Sequence, residues 1–203
     1  MTPDVLLALL LAAAQAGGPG PGNCPPQGAG KTAKQQAFNV KVNRTDAPSD
    51  SDLDDTCDLD AMLETGPDQD RWSDSNGAEL TGYVIAVQDG GAQSADCFSG
   101  RQIRLYLAAN STGMDPAHQV VVVVTARWGR AMAGNGVNWS LDALTKKYQG
   151  QFVRVRGWLL YDHRAAKSAM NTAQNAGPGI TRATAWEICP MTSIKLESNA
   201  FDQ

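Results

Sequence analysis

The sequence predicts a mainly β domain, a five-stranded barrel with one short helix between the third and fourth strands, preceded by an acidic N-terminal arm. Three observations lead there. Residues 80–87 and 103–107 carry strand patterns, and Val120–Val124 is an unbroken β-branched run. A helix signal at 140–150 separates that run from two further strand patterns at 152–161 and 183–196.

Leu80-Thr81-Gly82-Tyr83-Val84-Ile85-Ala86-Val87 leads to Asp89-Gly90-Gly91, residues suited to a tight reversal or the mouth of a loop. Ile103, Leu105 and Leu107 alternate with Arg104 and Tyr106, the period of a strand with one wet face. Val120–Val124 lacks polar alternation, which favours a fully buried central strand. After a Gly- and Asn-rich loop, Ser140 offers an N-cap for a helix over Leu141–Tyr148, and Gly150 a stop. The order strand, strand, strand, helix, strand, strand is that of an oligonucleotide/oligosaccharide-binding (OB) barrel, whose helix joins strands three and four. An SH3-like barrel and a plain α+β sheet are compatible with the same elements.

Ahead of the strands, Val5–Ala14 is a ten-residue apolar run followed by Ala14-Gln15-Ala16. That fits a signal peptide over 1–16, although Met1-Thr2-Pro3-Asp4 lacks the usual basic residues. The run is too short to span a bilayer. The expectation is therefore an exported protein, periplasmic or extracellular, with no membrane span. Residues 17–37, rich in Gly, Pro, Gln and Ala, read as a flexible linker, and 38–200 as a single OB-like domain. Ala37–Val42 suits a short helix or a strand, and Asp52–Leu63 a short acidic helix that Gly66-Pro67 ends.

Charge is unevenly spread. The arm 46–79 holds twelve acidic residues and a single base, Arg71, whereas residues 80–203 hold twelve Lys and Arg against eight Asp and Glu. A net excess of four is far below the usual nucleic-acid footprint. Export makes disulfides possible among Cys24, Cys57, Cys97 and Cys189, for which three pairings exist. A bridge tying the arm to the barrel is one natural outcome. No C-x-x-C pattern points to a redox motif or a zinc knuckle.

Asp70-Arg71-Trp72, Gly82-Tyr83-Val84, Val155-Arg156-Gly157-Trp158-Leu159 and, above all, Trp186-Glu187-Ile188-Cys189-Pro190-Met191-Thr192 resemble a group of largely uncharacterised bacterial OB-fold-like proteins. The resemblance covers roughly 38–197 and implies the fold more than an activity. Such proteins often carry His in the Trp-Glu-Ile-His-Pro slot, with more Cys or His around the first loop. Here the slot holds Cys189, so no metal site is carried over and a disulfide or buried thiol is implied instead.

Several motifs are weaker than they look. Gly28-Ala29-Gly30-Lys31-Thr32 is like a phosphate-binding loop, but Pro25 stands at its first glycine and no strand precedes it. Asp50-Ser51-Asp52-Leu53-Asp54-Asp55 imitates a calcium loop without its glycine or its final Glu. His118 and His163 have no neighbouring nucleophile in sequence. Asn43, Asn110 and Asn138 each open a glycosylation sequon.

The richest stretch is Phe152–Tyr161. Strand alternation places Phe152, Arg154, Arg156 and Trp158 on one face, opposite Val153, Val155, Gly157 and Leu159. Guanidinium groups beside aromatic rings can stack sugars or bases and pair anions. The competing expectation is that this face packs under the arm and pairs with its carboxylates. The expected ligand-binding residues are Arg154, Arg156 and Trp158, with His163, Arg164 and Arg182 from the long loop 162–182. No catalytic, metal or cofactor site is expected.

The function expected is an exported, non-enzymatic binding or interaction module whose partner is an anionic polymer, an oligosaccharide or another envelope protein. A nuclease-like phosphodiester hydrolase using Asp89, Asp96, Arg101 and Arg104 is the second reading. A structural envelope protein is the third.

Overall fold

The computed structural model describes residues 24–172 and 179–198. The leader expected at 1–16 and the start of the linker expected at 17–37 lie outside the described residues. Five strands form one sheet: β1 (Gly77–Ala92), β2 (Arg101–Ala108), β3 (Val120–Val124), β4 (Phe152–Tyr161) and β5 (Trp186–Leu196). Hydrogen bonding runs in the order β1-β2-β3-β5-β4 and returns to β1, so the sheet closes on itself. The β3–β5 pair is parallel and every other pair antiparallel.

Closure depends on the length of β1. Its residues 77–83 pair with β4, and residues 83–92 pair with β2. Of the two expectations for Asp89-Gly90-Gly91, the tight reversal does not occur: the three residues are in the last part of β1, just before the loop that begins at Gln93. The register slips between Asp89 and Gly91, and Gly91 takes φ +77°. A left-handed residue that suits a turn equally suits a bulge, which bends the strand without ending it.

The inner face of the closed sheet forms the main core, with Leu80, Leu105, Leu107, Val155 and Ile188 fully buried. Leu144 and Tyr148 of α4 (Leu141–Tyr148) join that core, and Ser140 accepts a hydrogen bond from the Ala143 N–H as its N-cap. Leu59 and Met62 of α2 (Leu59–Leu63) complete it. Gly82 makes room for α2, since an added Cβ would stand 2.4 Å from Leu59 Cδ2 and 2.9 Å from the Ala108 carbonyl oxygen.

Outside the sheet, Val121, Val123, Leu160 and Cys189 form a second cluster with Phe38 and Val42 of α1 (Ala33–Val42). Half-buried Tyr106, expected on a wet face, packs against it. β3 is thus covered on both sides, which explains a run of five valines with no polar alternation.

Three expectations need correction. Residues 24–37 are not a featureless linker: Cys24 is buried in a disulfide with Cys97, and Thr32 caps α1, which also decides the helix-or-strand question at Ala37–Val42. The connection between β3 and β4 contains two helices, since α3 (Ala126–Gly134), capped by Thr125, precedes α4. The arm holds a short 3-10 turn, Asp50–Asp52, and then α2 in place of one helix over Asp52–Leu63. Asp54 intervenes, accepting hydrogen bonds from both the N–H and the hydroxyl of Thr56 in a turn that stops helix propagation. No helix among the described residues is long and apolar enough to cross a membrane.

Candidate ligand-binding cleft

On β4, Val153, Val155 and Leu159 point into the core, and the opposite face is engaged within the chain. Arg156 pairs through Nη1 with Asp50 at 2.7 Å and through Nε with Glu79 at 3.2 Å. Arg154 pairs with Glu79 at 3.1 Å and with Glu197 at 2.9 Å. The hydrogen bond from Arg156 to Asp50 and that from Arg154 to Glu197 lead the effects that hold both guanidinium groups above their ordinary pKa. Trp158 is 7% exposed, donates its Nε1–H to the Asp46 carbonyl at 2.8 Å, and carries the Arg44 guanidinium 4.5 Å from its ring centre. Phe152 packs on Tyr83 instead, with ring centres 4.9 Å apart. The arm thus occupies the face on which Arg154, Arg156 and Trp158 were expected to take a ligand.

Arg182 is also internal. It is 3% exposed and pairs with Glu187 at 2.8 Å, while burial pushes the Glu187 carboxyl above its ordinary pKa against the pull of that guanidinium. Arg164 hydrogen-bonds Asp162 at 2.8 Å and lies 4.4 Å from the centre of the Phe38 ring. Burial alone would raise the Asp162 carboxyl, but the hydrogen bonds and charge of Arg164 outweigh it and the pKa falls. His163 meets Phe38 edge to face at 5.2 Å, and burial, aided by the positive charge of Lys34, lowers its pKa.

His163 opens onto a cleft of about 740 Å³. One wall is α1, with Lys34, Phe38 and Lys41; the other is the segment 69–74, with Asp70, Trp72 and Asp74. Tyr161 at the end of β4 and Trp186 at the start of β5 line it between them. Trp186 stands edge-on to both Trp72 (5.8 Å) and Tyr161 (5.4 Å). These rings are held firmly. The Trp186 Nε1–H donates to the Asp68 carbonyl at 2.7 Å, and Arg71 lies 4.4 Å from the centre of the Trp72 ring while donating to the Ala61 carbonyl at 2.6 Å. Lys41 pairs with Asp74, whereas Lys34 and Asp70 have no ion-pair partner among the described residues. Asp70 is also in the left-handed region, at φ +65°, where strain tends to collect near binding sites.

Of the expected residues, only His163 lines this cleft, with Arg164 just beyond it. Phe38, Trp72, Tyr161 and Trp186 were missed as site residues. They come from four distant segments, and no local pattern in the sequence joins them.

The remaining motifs resolve locally. The amide N–H groups of Gly28, Ala29 and Gly30 donate to the carbonyls of Pro25, Ser94 and Gln27, and that of Lys31 to the Gln35 side chain, so they are not arrayed for a phosphate. Asp50, Asp52 and Asp54 turn to Arg156, Ser49 and Thr56 respectively instead of converging. No group of three or more potential metal ligands occurs among the described residues. Asp89 pairs with Arg101, and buried Asp96 is gripped by Arg130 at 2.6 and 3.0 Å. Cys57 and Cys189 are free and buried, with burial pushing Cys57 up to about 12 and Cys189 well above its ordinary value. No protein-family model matches the chain, and no curated protein matches it in sequence.

Proposed function

We propose that this protein is an exported, non-enzymatic binding module built on an OB-type barrel, and that it binds a short oligosaccharide in the cleft between α1 and the segment 69–74. The barrel reading is supported by the closed order β1-β2-β3-β5-β4 and by helices lying between β3 and β4. The resemblance of the Trp186–Thr192 stretch to bacterial OB-fold-like proteins agrees with it. Export is supported by the Cys24–Cys97 disulfide, a bond that persists in oxidising compartments.

One observation carries the ligand assignment: an open cleft lined by Phe38, Trp72, Tyr161 and Trp186 with Lys34, Gln69 and Asp70 at its edges. Aromatic rings pack against the C–H faces of pyranose rings, and convergent polar side chains bind the hydroxyl groups. An anionic polymer on β4 is a poorer match, because Arg154 and Arg156 are already paired with carboxylates of the chain. The hydrolase reading is weakened likewise, since Asp89 and Asp96 are neutralised by Arg101 and Arg130. Tryptophan fluorescence tests the proposal directly. Oligosaccharides of several compositions are titrated into the protein; a saturable change that Trp72→Ala abolishes is expected, and no response to any of them would refute the assignment.

A further inference from the structure

The cleft does not stop at His163. A smaller depression of about 180 Å³ adjoins it, sharing Lys34, Phe38 and His163 and extending to Arg164. The two linings differ in character. Trp72, Tyr161 and Trp186 line one end, beside the carboxylate of Asp70. Lys34 and His163 stand where the two recesses meet, and Arg164 lines only the smaller one, which has no carboxylate in its wall.

The charge balance at that second end is specific. Arg164 has a carboxylate partner in Asp162 through Nε at 2.8 Å and Nη2 at 3.3 Å, and its Nη1 reaches Gln93 only at 3.5 Å, the limit of a hydrogen bond. Lys34 is exposed and has no ion-pair partner among the described residues. Two cationic side chains, one without an ion-pair partner and one with a weakly engaged Nη1, therefore line the same recess. Both can reach an anion without giving up a strong bond already made, and charge-assisted hydrogen bonds are about twice as strong as neutral ones.

Resting on the reading of the cleft as an oligosaccharide site, we infer that the ligand is an acidic oligosaccharide. One of its rings packs at the Trp72–Trp186 end, and a carboxylate or sulfate substituent further along seats between Lys34 and Arg164. Asp70 at the opposite end sets the polarity, because an anionic group placed there would be repelled.

Calorimetry on the full chain tests this with three probes: tetragalacturonate, a chondroitin sulfate tetrasaccharide and neutral chitotetraose. At least one acidic probe is expected to bind about tenfold tighter than the neutral one, the advantage shrinking at high salt. Lys34→Glu, a surface change whose fold is checked by its melting temperature, should remove that advantage, weakening the acidic probes by a clearly larger factor than chitotetraose. Trp72→Ala should weaken all three. Equal affinity for acidic and neutral probes, or an advantage that survives Lys34→Glu, overturns the inference and leaves the oligosaccharide site standing. Binding of none of the three overturns both.

Discussion

The carboxylate of Asp68 accepts the Thr184 hydroxyl at 2.8 Å, and both residues are wholly buried. Asp68 also accepts the Ala185 N–H at 2.7 Å, and its backbone carbonyl holds the Trp186 indole. A single residue of the acidic segment thus fastens that segment to the approach of β5 and orients a ring of the cleft.

Asp68→Ala is expected to destabilise the protein by about 3 kcal/mol, because it strands a buried hydroxyl and a buried amide N–H without an acceptor. Urea denaturation measures the loss. A change under about 1 kcal/mol would show that the segment is held mainly by its apolar contacts.

Arg154→Ala and Arg156→Ala should each cost under about 1 kcal/mol, since their ion pairs are partly exposed and screened. Neither should alter oligosaccharide affinity. A loss of binding in either variant would return the ligand site to the outer face of β4.

Native protein should resist alkylation at both Cys57 and Cys189, even at pH 9, because burial raises both thiol pKa values. Replacing Cys24 and Cys97 together by Ser should cost about 2–4 kcal/mol. Cys189 packs in the cluster that holds Phe38 and Val42 of α1, whereas Cys57 is in the main core. Mass spectrometry of the double variant should accordingly find Cys189 labelled before Cys57; simultaneous labelling would mean global unfolding, not detachment of α1.

His163 should make stability fall on acidification. Its folded pKa lies below 6.5, so the unfolded chain binds a proton in a range where the native protein does not, and stability rises with pH through that window. His163→Gln should flatten the slope between pH 5.5 and 7.5, measured as urea midpoints. An unchanged slope would assign the effect to other groups.

Much of the sheet was legible because its signals are local. The Val120–Val124 run, the Ser140 cap and the Gly150 stop each depend on neighbours in sequence. α3 was hidden because Gly129, Gly134 and Asn135 resemble loop composition, although the Thr125 cap was there to be read. α1 was hidden because AKQQAFNVKV has scarcely any apolar face. It is held by tertiary contacts, among them the Asn43 side chain donating to the Ala95 carbonyl and Phe38 packing over β3. The cleft was least legible, since its rings, Phe38, Trp72, Tyr161 and Trp186, come from separate parts of the chain, and alternation along β4 cannot reveal that residues more than a hundred positions upstream cover the strand's outer face, as Asp46 and Asp50 do at Trp158 and Arg156.

The bond between Cys24 and Cys97, 73 positions apart, makes the intervening chain a closed covalent ring that contains α1, the acidic segment and the whole of β1. A protease that cuts this ring once, after Lys41 or Arg71 for example, adds a water molecule but releases no fragment. Both walls of the cleft stay on one molecule, so in a medium rich in proteases a single nick between them leaves the cleft's two sides covalently joined.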